Sequence, residues 1–599
     1  MRTGSLVPLA ALGLMLLASG AEPGPRGQTP RGQTLHWAGT LDRSRDTVHA
    51  LAVFVRFPDD AGASAEWPNR DAGGRPISPR QLPPFGVGLF ESDPERVRAE
   101  TLTLGDSSLS AYFYWQSRRG PRGPHVLTGD VWPRDARGRS IVYVPQHDNA
   151  HYTDAVVDGR VQNTGVGYGA LVREILDDLV AQPGFDIADY DVDADGVLDH
   201  LFVVVRRDLA MGGAGVLSLA GNQRTRGRFS TLAYASPTGR TVRVRERSGS
   251  IVWIAEVPPR ASLVHEYGHA LFEMNHTQIL ESNDVPLHVP PPGQTGHAAC
   301  RLSAMCGTNA SPRRSNYDQV ASLGAYEMIR MGWADVRTLR AGGGATGADR
   351  AGDGTPQALT IGPLFTTGRV YEVPLAEGSA ADVLRLESRQ RVGYFDRHPS
   401  TFVAFPDGRP NPYYGTIWRD LAATGLLATL SSGDPDGPAR QYLYDLVPPS
   451  NAHRPGKTRC SGDPEACTGY DRDRGLLYRP GVATQITPWT RPNVSGYTRY
   501  PDGRAPNWFA IDRIRYTGDA DSTMAFDFVA DVRRAPEIVI RDDSWMGAET
   551  SGTTFRQPVR VAPGATLTVE APARVAFAGG LVVEESGRFV CERGAVCRR

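Results

Sequence analysis

The chain has 599 residues, with 65 basic and 66 acidic side chains and a formal charge of −1. That length excludes a small disulfide scaffold and predicts roughly three to five domains, each large enough to bury a core. Balanced charge excludes a binder that holds nucleic acid through a basic excess, and 66 Gly with 46 Pro predict a turn-rich, largely β chain.

At the N-terminus, Arg2 precedes an apolar run at 6–17, and Ser19-Gly20-Ala21 supplies the small residues of a signal-peptidase site. Residues 1–21 are read as a secretory signal and 22–47 as a Gly/Pro/Arg-rich leader, so the protein is expected outside the cell. No later apolar stretch is long enough to span a membrane, which predicts no transmembrane segment. Strands are then expected at 50–57, 125–131, 201–205 and 250–257, and helices at 106–117 and 168–182. This alternation predicts one α/β catalytic domain over 48–340.

Within it, Asp191, Asp193, Asp195, Gly196 and Asp199 form D-x-D-x-D-G-x-x-D. Alternate carboxylates on a tight loop, with the Val197 backbone carbonyl, supply oxygens to a hard cation, so a structural Ca²⁺ is expected. Position 12 of the loop is Phe202 rather than a bidentate Glu, which excludes a regulatory EF-hand. The competing reading is a solvated acidic turn. His200, next to the loop, is read as a surface histidine. Gly212, Gly213 and Gly215 lack the GxGxxG pattern and a following helix, and are read as an ordinary loop.

The stretch His265-Glu266-Tyr267-Gly268-His269 carries the chemistry. On a helix, His265 and His269 fall one turn apart on one face and can share a Zn²⁺, with Glu266 beside them as general base. Such a metal lowers the pKa of its water to about 7, and Glu266 then takes the proton and passes it to the leaving amine. Leu263, Val264, Tyr267, Leu271 and Met274 fall on the other face. A half-buried helix results, its histidines opening onto a cleft; the bland alternative is an exposed helix with two histidines. His276 is the expected third ligand. It lies about 10 Å along a continuous helix axis from His269, so the chain must break near 272–274. Asn275 is a poor zinc donor, and Glu281 and Asp284 are the other carboxylate candidates nearby.

Six cysteines fall into three local couples: Cys300 with Cys306, Cys460 with Cys467, and Cys591 with Cys597. In an oxidising compartment each couple is expected to close a short disulfide loop. Thiolate metal ligation is the rival, but no CxxC spacing supports it. Beyond the helix, 341–535 reads as short strands between Gly, Pro, Asp and Asn turns, predicting β-sandwich architecture. Residues 536–599 alternate apolar and polar side chains and read as a small C-terminal β-module. No long internal repeat is evident.

Several segments together resemble the immune inhibitor A family of secreted bacterial zinc metallopeptidases. These are "FVRFPDD", "SLSAYFYWQSRRGPRGPHVLTGDVW", "DYDVDADGVLDHLFVVV", "HEYGHAL", "LSAMCG", "GAYEMIRMGW" and "LESRQRVGYFD", and the resemblance covers roughly 48–530. The resemblance implies an α+β protein with a metzincin-like catalytic domain followed by β-sandwich architecture, with zinc as cofactor and peptide-bond hydrolysis as the reaction. It also makes Met305 the residue under the metal. The Gly-Leu-Pro-Asp run usual in that family is Phe272-Glu273-Met274-Asn275 here. The chain is therefore expected to be a secreted, monomeric zinc endopeptidase acting on proteins or peptides. The alternative is an inactive peptidase-fold protein that binds surfaces or proteins.

Overall fold

Nine residues, Thr47–Val55, form the first strand (β1), and its side chains alternate between two cores. Ala50, Ala52 and Phe54 face one core; Leu51, Val53 and Val55 face the other. A strand covered on both faces can be apolar at successive positions, and this one is. β1 pairs in parallel with β2 (Val126–Trp132) and β5 (His200–Val205). β5 pairs in parallel with β9 (Gly249–Trp253), and β6 (Gly215–Val216) closes that edge antiparallel. The sheet order is β2-β1-β5-β9-β6. Two short antiparallel hairpins lie outside it: β3 (Ala155–Val157) with β4 (Arg160–Gln162), and β7 (Leu232–Ala235) with β8 (Thr241–Val244).

The computed structural model describes residues 47–61, 67–71, 73–152, 155–157, 160–162, 167–206, 215–216, 231–245, 248–253, 259–272, 323–341, 354–376, 379–390, 392–393, 424–432, 443–446, 477–490, 507–518 and 523–598. All belong to one compact unit, His36–Arg599. Helices α1 (Pro94–Arg98), α2 (Leu109–Ser117), α3 (Asn149–Tyr152), α4 (Tyr168–Val180) and α5 (Pro259–Phe272) connect the strands. Ser108 caps α2 by accepting a hydrogen bond from the Ala111 N–H, 3.1 Å. α2 and α5 cover the Ala50/Phe54 face, while α4 covers the Leu51/Val55 face with Leu171, Val172, Ile175, Leu176 and Leu179. Among the described residues, no helix is long and apolar enough to cross a membrane.

Helix α6 (Ala325–Met331) ends at Gly332, whose left-handed φ of 72° stops it, and leads into β10 (Asp335–Thr338). β10 lies before residue 340 yet pairs in parallel with β12 (Arg369–Ala376) of the next sheet. That sheet runs β10-β12-β13-β14-β15, with β13 at Ser379–Arg389, β14 at Gly425–Ser432 and β15 at Leu443–Leu446. A second sheet orders β11 (Gln357–Ile361), β17 (Met524–Val529) and β16 (Ala510–Tyr516). Both sheets bury side chains in one shared cluster, in which Tyr371 meets Phe526 edge-on at 5.4 Å.

The last region holds a repeat that the sequence pattern did not reveal. Its nine strands stack in three parallel columns. The first column is β18 (Ile538–Ile540), β21 (Val559–Val561) and β24 (Leu581–Val583). The second is β19 (Ser544–Met546), β22 (Thr566–Val569) and β25 (Arg588–Cys591). The third is β20 (Thr554–Phe555), β23 (Arg574–Phe577) and β26 (Val596–Arg598). Partners in the last coil, such as Val559↔Leu581, Thr566↔Arg588 and Arg574↔Val596, are each 22 residues apart. This is a three-sided parallel β-solenoid. A solenoid requires only that each inward position be apolar, so Ile, Val, Leu and Phe interchange and the period is faint in the letters.

Candidate metal centre

β9 ends at Trp253 and α5 begins at Pro259, a residue whose fixed φ suits the first helical turn. Leu263, Val264, Tyr267 and Leu271 are buried in the core shared with the sheet, as their spacing predicts. The other side differs from expectation. His265 is 1% exposed and Glu266 4%, so these two side chains are buried rather than open to solvent. Burial pushes the Glu266 carboxyl up to about 8. Its Oε1 lies 4.0 Å from His265 Nε2, and its Oε2 is buried with no hydrogen-bond partner. An orphaned carboxylate oxygen beside an imidazole is the kind of exception to buried polar pairing that a reactive or metal-associated site produces. His269 follows one turn later on the same helix. The positions of His276, Met305, Cys300, Cys306, Cys460 and Cys467 lie outside the described residues.

Beneath the helix is a polar layer that sequence reasoning missed. Tyr267 Oη and His125 Nε2 share a hydrogen bond at 2.9 Å, and both side chains are buried. His200 is not a surface histidine. It is fully buried, its Nε2 is 3.2 Å from Ser250 Oγ, and its ring meets Tyr267 edge-on at 4.8 Å. The correction has a simple cause: β5 is an inner strand with both faces covered, so no position along it reaches solvent. Desolvation lowers His125 to about 4 and His200 to about 3, leaving both imidazoles neutral at pH 7. Only a lone His before a strand and a Tyr between two motif histidines were available as signals.

Neither a scan against protein-family models nor a search of curated proteins finds a match to this chain. Its chemistry rests on its own residues.

Three aspartates of the acidic loop come together as their spacing predicts. Ala194 and Gly196 adopt positive φ of 62° and 78°, and ligand oxygens of Asp191, Asp193 and Asp195 lie within 4.8 Å of one another. Gly196 is held where a Cβ would meet Thr241 O at 3.3 Å. Asp191 Oδ2 accepts from Gly196 N–H at 3.1 Å and pairs with Arg240 at 2.5 Å, while its Oδ1 is buried without a partner. That orphaned oxygen, with two neighbouring carboxylates, fits a hard cation. Asp199 stands apart from the group: its Oδ2 accepts from the His49 N–H at 3.1 Å and the Val192 N–H at 3.4 Å, tying the loop to β1. Val197 forms a single bridge with Arg243, on β8. The Arg240 contact comes from the β7–β8 hairpin, far along the chain, and no local spacing announces it. At the C-terminus, Cys591 and Cys597 form the expected disulfide, S–S 2.08 Å.

Proposed function

We propose that this chain is a secreted zinc-dependent endopeptidase, similar to the immune inhibitor A family, that hydrolyses peptide bonds of extracellular proteins. One observation carries the reading: His265, Glu266 and His269 share one helix against a mainly parallel sheet, and Glu266 keeps a buried carboxylate oxygen without a partner. The donor set suits zinc, with two imidazoles a turn apart as first ligands and His276 as third. When bound, the ion would lower the pKa of its water and polarise the scissile carbonyl. Glu266 takes a proton from the attacking water and returns it to the leaving amine. Burial raises the affinity of the Glu266 carboxylate for a proton, which favours its taking one from water. Met305 is assigned the place under the metal, and the two following sheets the β-sandwich of such enzymes. Asp191, Asp193 and Asp195, with Val197 and Asp199 completing the loop, are assigned a structural Ca²⁺ that stiffens the turn before β5. The protein is proposed to act as a monomer.

A second reading has its own support. Near-complete burial of His265 and Glu266, with Phe272-Glu273-Met274-Asn275 following them, favours a peptidase fold that binds proteins without cleaving them. Metal analysis of purified protein separates the two. One tightly bound zinc per chain, together with loss of cleavage of a denatured protein in Glu266→Ala, supports the enzyme. Unchanged proteolysis in Glu266→Ala overturns the mechanism.

A further inference from the structure

Tyr267 sits between the two motif histidines in sequence but at the interface of α5 with the sheet. Its ring is packed against Phe113 at 4.9 Å, His200 at 4.8 Å and Phe202 at 5.8 Å. Such contacts fix how deeply the helix is seated, but ring pairs tolerate centroid separations of roughly 4.5–7 Å and hold its rotation only loosely. A hydrogen bond is directional, and Tyr267 makes one to His125.

His125 is itself firmly held. Its backbone N–H donates to Ser117 Oγ at 2.7 Å, and that hydroxyl donates to the Phe113 carbonyl at 2.6 Å, tying the residue to α2. Its ring lies 5.3 Å from Trp333, which follows α6. The Trp333 backbone is pressed against Gly120, where a Cβ would fall 2.2 Å from Trp333 Cα. The partner of Tyr267 is therefore anchored by α2 on one side and by the α6–β10 junction on the other.

We propose that His125 is a positioning residue for the metal helix: its hydrogen bond to Tyr267 sets the rotation of α5 and hence the direction of His265 and Glu266. The lever is large. A roll of about 10° at a radius of about 6 Å moves an imidazole nitrogen by about 1 Å, beyond the tolerance of about 0.5 Å for a working site. Misplacement of that size can cost a factor of about 100 in rate.

The inference rests on the peptidase reading. Its test uses the full chain carrying His125→Phe, His125→Gln, Tyr267→Phe or the His125→Phe/Tyr267→Phe pair. Measured quantities are kcat and KM on a fluorogenic peptide, the zinc Kd by chelator competition, and Tm. His125→Phe and Tyr267→Phe should each lower kcat at least tenfold with KM within twofold, and weaken zinc binding. The double variant should be no worse than either single one, and His125→Gln, whose amide reaches the Nε2 position, should recover most of kcat. Wild-type kcat and zinc affinity in His125→Phe, or losses that multiply in the double variant, overturn the proposal. Should His125→Phe not fold, Tyr267→Phe removes one oxygen and carries the same comparison against His125→Gln. A wild type with neither zinc nor proteolysis removes the peptidase reading and this role with it. An active wild type with unaffected variants removes this role alone.

Discussion

Buried side chains of the α/β unit include His125, His200, His265, Glu266, Asp191 and Arg206, whereas those on the solenoid strands are apolar apart from Ser544. Both regions bury a core against parallel β-structure, so the difference does not come from architecture. An ionisable group taken out of water costs several kcal/mol unless it is paired. The solenoid leaves its charges outside, as in the Arg560 contacts to Glu537 and Glu584 that link successive coils at 2.8 and 3.0 Å. The α/β unit retains unpaired polar atoms at Glu266 Oε2 and Asp191 Oδ1. Buried carboxylate oxygens without a partner in one region and charges kept at the surface in the other are the difference on which the proposed site rests.

Four substitutions or conditions can break that contrast. Glu266→Gln keeps the shape of the side chain and removes its base, so kcat should fall ~10³-fold, with the zinc content of the purified protein unchanged. Activity above a tenth of wild type would mean the orphaned oxygen is not functional. Leu567→Ala empties a fully buried position on the middle strand of its column and should cost ~3 kcal/mol in urea unfolding. Its kcat should not change; a change would show that the solenoid is part of the catalytic unit.

The third test is pH. His125 is held at about 4 in the folded state against 6.5 for an ordinary imidazole. Its folded pKa is depressed, so between pH 6.5 and 4 the unfolded chain binds the extra proton and stability falls as pH falls. By pH 4 the loss amounts to ~3 kcal/mol. Asp60, pushed up to about 6, acts oppositely, because its folded form takes the proton first and stability rises as pH falls from 6 towards 3.8. Comparing urea midpoints of wild type and His125→Gln isolates the histidine: the wild type should lose more between pH 7 and 4.5, and parallel curves would refute the assignment. The smallest effect belongs to the solenoid. Cys597→Ser opens a loop of sequence separation 6 and should cost ~2 kcal/mol, again without touching kcat.

Local features were legible in the sequence because their causes are local. The apolar spacing of 168–182 became α4, ending at Val180 because Pro183 and Gly184 follow. The alternating aspartates became a cluster because Gly196 can take the φ such a loop needs. The burial of His265 and Glu266 was not foreseen, since periodicity identifies one apolar face and says nothing about what covers the other.

What the sequence determined alone is therefore a set of short-range facts: the helix with His265 and His269 one turn apart and Glu266 between them, the Asp191–Asp195 spacing, and the Cys591–Cys597 loop. Tertiary structure decided the rest. Tyr267 meets His125 across 142 residues, Arg240 reaches Asp191 across 49, and strands 22 residues apart stack into a solenoid. Each of these depends on non-local approach, whose entropic cost is met by the packing of whole elements, and no window of the sequence contains it.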